Sequence, residues 1–127
     1  MLNNTGIKKT TYGGPVQILF NVQNQMSVGV RVDDAYSVTR DGRKIVPAGT
    51  PLSGDLKART TSFVKAVDTT KPATGILLHD VDVTDGDNNG TLLIWGFVDL
   101  NKVDATTAAL ITETREEELA GKVTFLK

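Results

Sequence analysis

The sequence predicts a mainly β domain with one short helix near the C-terminus. Three observations predict it. Two apolar runs, Gly75–Val83 and Thr91–Val98, flank a stretch of Asp, Asn and Gly, Thr84–Gly90. Val28–Val32 and Phe63–Val67 alternate apolar and polar residues with the period of a strand that has one wet face. Only Thr112–Gly121 carries helix-end signals at both ends.

The stretch from 75 to 98 organises the chain. Val81 and Val83 point one way and Asp80 and Asp82 the other, as on a strand with one face in water. The run Leu92, Leu93, Ile94, Trp95, Phe97 is continuous and large, which predicts a strand buried on both faces, with Trp95 in the core. Between them, Asp85-Gly86-Asp87-Asn88-Asn89-Gly90 tolerates positive φ. The expectation is a β-hairpin with a long exposed tip.

The remaining elements follow in order. Residues 1–14 are polar and end in Gly13-Gly14-Pro15; they read as a frayed terminus or as an arm that orders on a partner. Val16–Val22 is strand-like. Val28–Val32 places Arg31 outward between valines, and Asp33-Asp34 ends it. Tyr36–Thr39 is a further short strand, and Arg40-Asp41-Gly42-Arg43 a turn. In Lys44–Leu52, Pro47 and Pro51 predict a kinked edge segment and Gly49 a tight bend. Ser53-Gly54-Asp55 turns, Phe63–Val67 alternates, and Asp68–Thr74 is a loop. In the helix, Thr114 with Glu117 fits a capping box, and Gly121 fits the position after its end. Leu110, Ile111 and Leu119 are its packing residues. Val123–Leu126 closes as a short strand.

The 127 residues fit one domain, 15–127, behind the arm. A hydrophobic fraction of 39% with 23% charged is that of a globular chain. The net charge of −1 gives no reason to expect a nucleic-acid or anionic-membrane partner. There is no cysteine, so disulfides, thiol nucleophiles and thiolate metal sites are out. No apolar stretch is long enough for a membrane span, and residues 1–14 lack the apolar region of a signal peptide.

Candidate chemistry is sparse. The single histidine, His79, sits in a strand run with no cysteine and no serine in a nucleophile-elbow context. Asp80, Asp82, Asp85 and Asp87 are dense enough to invite a calcium reading. An EF-hand loop begun at Asp80 or Asp82, however, puts Thr91 or Leu93 where a bidentate Glu belongs. A solvated tip is the plainer reading, with weak calcium binding as its alternative. No Gly-rich loop precedes a helix with a lysine, and the aromatics are not interleaved with a basic stripe. Composition and spacing alone therefore give a small β domain without catalytic residues or a cofactor, and no activity.

Three pieces, in order, resemble the head-decoration proteins of tailed bacteriophages, in particular those of phages infecting Gram-positive bacteria. The first is Ile45-Val46-Pro47-Ala48-Gly49-Thr50-Pro51-Leu52. The second runs from Gly75-Ile76-Leu77-Leu78-His79-Asp80-Val81-Asp82-Val83-Thr84-Asp85-Gly86 to Gly96-Phe97-Val98-Asp99-Leu100. The third is the acidic helix leading into Leu119-Ala120-Gly121-Lys122-Val123-Thr124-Phe125-Leu126. The kink is shared with unrelated β-clip domains; the second piece and the terminal strand are more specific. The pieces span residues 44–127. Residues 1–43 include Asn21–Ala35, similar to the front half of the Gram-positive phage proteins, which the shorter lambda-type proteins lack.

The resemblance implies a β-tulip, or small β-barrel-like, fold and no catalysis or cofactor. It implies a virion structural protein on the outer surface of the expanded capsid, made in the host cytoplasm. The partner is the phage's major capsid protein, bound as a homotrimer, with no nucleic acid and no membrane. By position, residues 1–14 are the arm that adds a strand to the shell, with Ile7, Lys8, Lys9, Thr10, Thr11 and Tyr12 as its contact residues. Two other classes compete: a β module binding glycans or another host-surface ligand through Trp95 or Tyr36, and a small enzyme or metal domain using His79 and Asp80–Asp87.

Overall fold

A computed structural model describes residues 18–19, 25–59, 61–66 and 71–127. Nine strands occur among them: β1 (Met26–Val32), β2 (Val38–Arg40), β3 (Arg43–Val46), β4 (Pro51–Ser53), β5 (Val64–Lys65), β6 (Gly75–Leu77), β7 (Val81–Asp82), β8 (Asn88–Asp99) and β9 (Val123–Leu126). Between β8 and β9 lie a 3₁₀ turn, Leu100–Lys102, and two short helices, α1 (Ala105–Ala108) and α2 (Glu113–Glu118). The protein is mainly β with a short C-terminal helix, as the sequence predicts. None of its described helices is long and apolar enough to cross a membrane.

The strands form two sheets. The larger runs β1-β8-β6-β4-β5, with β9 also on β8; the smaller runs β2-β3-β7. β8 is the spine. It pairs antiparallel with β1 and β6 and, at its far end, parallel with β9. A parallel partner needs a long crossover, and the helical segment supplies it. β8 also divides two cores. Leu92 belongs to a cluster with Val30, Val32, Val46, Leu52, Phe63, Leu77, Val81 and Val83, between the two sheets. Leu93 belongs to another, with Ile18, Ile76, Leu78, Val98, Val103, Leu119 and Val123, under the helical crossover. Each fully buried large side chain contributes about 1.5–3 kcal/mol. The ends of the larger sheet meet at Val32 and Phe63, where the Phe63 N–H donates to Arg31 O at 2.7 Å and its carbonyl accepts from the Asp33 N–H at 2.9 Å. The join is one bridge rather than a ladder.

Local signals hold where the backbone alone decides. Asp41 (φ 50°) and Gly42 (φ 77°) are the two turn residues between β2 and β3, both left-handed as a type I′ hairpin requires. Arg31 faces out between buried Val30 and Val32, and Val81 and Val83 are buried on either side of half-buried Asp82.

Four expectations need correction. First, Gly75–Val83 is not one strand. It pairs with β8 at Ile76 and Leu77 and only as far as Leu78, whose N–H donates to Thr91 O. It then bends, and Val81 and Asp82 pair with β3. The bend is pinned by Asp80, whose carboxylate accepts the Ala48 N–H at 2.8 Å and pairs with Arg40 at 3.0 Å. Second, β8 begins at Asn88, inside the supposed loop, because β1 offers a ladder to its exposed Asn residues. Third, Pro51 is not on an edge. β4 lies between β6 and β5, and Pro51, as its first residue, needs no N–H there. Pro47–Thr50 is instead the corner where the chain crosses from the small sheet to the large one. Gly49 has φ 94° and lies so close to Val103 that a side chain there has no room. Fourth, the helix cap is Thr112, whose hydroxyl accepts from the Arg115 N–H at 3.5 Å, not Thr114. Leu119 is fully buried as predicted, and Leu110 and Ile111 are half-buried. The predicted strand Val16–Val22 is described only at Ile18 and Leu19, the latter bridging Val98.

Candidate functional site

Two surfaces are candidates for a functional site: the acidic loop before β8 and an apolar patch near its middle. The loop does not gather the acids its sequence offers. Asp80 is bound to Arg40 and the 47–50 corner. Asp82 pairs with Arg43 and accepts the Thr84 N–H at 3.0 Å. Both arginines come from the ends of β2 and β3, so the hairpin turn brings a cation to each acid. Asp85 is exposed. Asp87 turns the other way. One of its oxygens accepts the Asp34 N–H at 3.2 Å and the other the Ser62 hydroxyl. Among the described residues, Asp33, Asp34 and Asp87 form the one trio of acids with ligand oxygens within 4.8 Å of one another. With both Asp87 oxygens already engaged, the trio fastens the end of β1, the 61–63 segment and the loop together.

These contacts set two carboxyls below their ordinary range. Asp82 is lowered chiefly by the hydrogen bond from Arg43 and then by those from Thr84. Asp87 is lowered chiefly by the hydrogen bond from Ser62, with help from the Asp34 N–H and the charge of Arg31. A carboxyl held below its unfolded value stabilises the fold above that value, near pH 4, and the stabilisation is lost as pH falls through the folded value. Acid unfolding followed by circular dichroism is therefore shallower below about pH 4 in Asp82→Asn and Asp87→Asn than in the parent chain. Equal slopes in all three proteins overturn this.

His79 is half-buried at the bend after β6. Its Nδ1 is enclosed and makes no hydrogen bond, and no hydrogen bond or ion pair joins the ring to another described side chain. Among the described residues, then, no acid or base is bonded to the ring as a proton relay requires.

The apolar patch was missed by the expectation that Trp95 is core. Trp95 is 46% exposed and Met26, opposite it on β1, is 58% exposed. Phe97 meets the Trp95 ring edge to face at 6.3 Å. The cause is a bulge: Met26 pairs with Trp95 but Ser27 with Leu93, so β8 gains a residue and its alternation slips. At Leu92 and Leu93, just before the slip, both faces of β8 are covered; at Trp95 one is bare. Nothing in the hydrophobic run marks the bulge. Tyr36, the other aromatic considered for stacking, is 43% exposed, but Lys65 Nζ lies 5.9 Å from its ring centroid. The arm residues Ile7, Lys8, Lys9, Thr10, Thr11 and Tyr12 lie outside the described residues.

No protein-family model matches the chain, and no curated protein matches it either.

Proposed function

We propose that this chain is a virion structural protein that binds the outside of an expanded phage capsid and stabilises it by bridging subunits of the major capsid protein, as a trimer on the shell. The β-tulip form and the outer-capsid location belong to the same proposal. The observation that carries it is where the three resembling pieces fall. Ile45–Leu52 is the corner between the two sheets, Gly75–Gly86 is the bend that crosses beside it, and Leu119–Leu126 leads into β9. The Ala48 N–H reaches Asp80, the Gly49 N–H donates to Leu77 O at 2.7 Å, and β6 and β9 both pair with β8. Pieces far apart in the chain thus interlock into one body, so the resemblance covers a structural unit rather than scattered words.

A clip of this kind needs no chemistry. It resists the outward pull of packed DNA by holding several subunits at once, and linked contacts raise the effective affinity above that of each. Residues 1–14 are assigned the shell contact. When the protein is sedimented with expanded and unexpanded shells, it travels with the expanded ones alone. Deleting residues 1–14 abolishes that binding and leaves thermal unfolding of the free protein nearly unchanged. Protein that ignores mature heads, or a deletion that collapses the fold, overturns the reading.

The exposed Trp95 favours a second reading, a β module that stacks a host-surface glycan on the Trp95 and Phe97 rings. Glycan-array binding that is lost in Trp95→Ala, with expanded shells ignored, selects it.

A further inference from the structure

We propose that the outer edge of β1 is a docking slot for an extended, acidic peptide segment of a partner protein. The inference stands apart from the shell-binding reading. It rests on the backbone of β1, which among the described residues is a terminal strand of the larger sheet. Arg31 O and the Asp33 N–H face away from β8, because both bond to Phe63. The two-residue period of a strand turns the backbone groups of Ser27 and Gly29 the same way. Among the described residues, the outward groups of Ser27 and Gly29 have a single partner: Arg59 Nη1 donates to Gly29 O at 3.2 Å. Beside them opens a cleft of about 560 Å³ lined by Gly29, Val30, Arg31, Arg59 and Asn89. A side chain built on Gly29 would meet nothing within 4 Å, so the sheet face over this part of β1 is open.

An unpaired strand edge recognises another strand through main-chain hydrogen bonds. Charge identifies which strand. The chain has five arginines. Arg40, Arg43 and Arg115 each pair with a carboxylate. Arg31 and Arg59 instead donate to carbonyls, of Asp87 and Gly29, and both line this cleft. The nearby Asp87 carboxylate is turned to Ser62 and the Asp34 N–H. The slot therefore presents the Arg59 guanidinium, with Arg31 close to the Asp87 carboxylate, beside backbone groups that are open among the described residues. An incoming strand with a carboxylate side chain takes Gly29 O with its own N–H, and Arg59, released from that carbonyl, pairs with the carboxylate.

The test is a titration of the full-length ¹⁵N-labelled protein with two short synthetic peptides of alternating threonine and valine, one with central glutamates and one with central lysines. The glutamate peptide shifts the Ser27, Gly29 and Arg31 amides and slows their exchange; the lysine peptide binds about fivefold or more weakly. Arg59→Glu reverses that order. Gly29→Pro removes an outward N–H without removing a bond to β8, and binding of both peptides is lost. Unmoved β1 amides, equal affinities, or an unchanged order in Arg59→Glu overturns the proposal. Should Gly29→Pro unfold by circular dichroism, the charge-reversal variant decides alone.

Discussion

Glu118→Leu destabilises the protein by about 3–5 kcal/mol in urea unfolding. Its partner, Arg115, is 6% exposed. Arg115 Nη1 donates to Glu118 Oε1 at 2.6 Å and to Lys71 O at 3.4 Å. The same Glu118 oxygen accepts the Ala73 N–H at 2.8 Å. One carboxylate thus balances a buried guanidinium and fastens α2 to the segment that leads into β6. Leucine fills the volume but takes the Glu118 carboxylate from the buried cation and the acceptor from the Ala73 N–H, and breaking a buried, hydrogen-bonded ion pair from one side is the expensive case. The pair itself is another matter. Replacing both members with apolar residues, Arg115→Met with Glu118→Leu, recovers most of the loss, because the charge that needed an acceptor is gone. A single-variant cost below about 1 kcal/mol puts the pair among ordinary surface bridges and refutes the argument.

Arg115 also shows where sequence reading stops. Thr112-Glu113-Thr114-Arg115 offers no acid three residues after Thr112, whereas Thr114 has Glu117 three residues on, so the capping pattern pointed to the wrong threonine. The cap is set by where Arg115 must be buried, which depends on Lys71 and Ala73 far back in the chain. The same division runs through the fold. Alternation at Val30-Arg31-Val32 and at Val81-Asp82-Val83 was legible, because it needs only one wet face. The Asp41-Gly42 turn was legible, because positive φ is a local demand. Pro51 in a central strand was not, since its neighbours on both sides come from residues 64–65 and 75–76. Nor was the exposure of Trp95, which follows from a bulge against Met26. In the acidic loop the residues were visible but their partners were not. Asp80 and Asp82 go to arginines about forty positions earlier, and Asp87 goes to Ser62 and Asp34. The β1 slot was half visible: Arg31 was read as outward, but Gly29 and Arg59 meet only through the fold.

Phe63→Ala costs about 3–5 kcal/mol, the loss expected when a fully buried aromatic is truncated. Phe63 is 0% exposed and packs in the cluster between the sheets. Its backbone joins the two ends of the larger sheet through Arg31 and Asp33. The ring also explains Gly54. A Cβ on residue 54 would fall 2.5–2.8 Å from ring atoms of Phe63, inside van der Waals contact. Gly54→Ala is therefore destabilising by about 1–3 kcal/mol through overpacking. Because one ring causes both effects, the substitutions do not add. With Phe63 cut to alanine the obstacle to a side chain at 54 is gone, and Gly54→Ala costs at least about 1 kcal/mol less than in the parent. A chemical-denaturation double-mutant cycle reads that coupling directly, and additive losses exclude the contact. Hydrogen exchange in Phe63→Ala separates the ring from the backbone bridge. If the side chain alone holds Phe63 in place, Phe63→Ala loosens the Asp33 amide, and hydrogen exchange there accelerates beyond what the global loss explains. If the bridge stands by itself, Asp33 exchanges only through global unfolding.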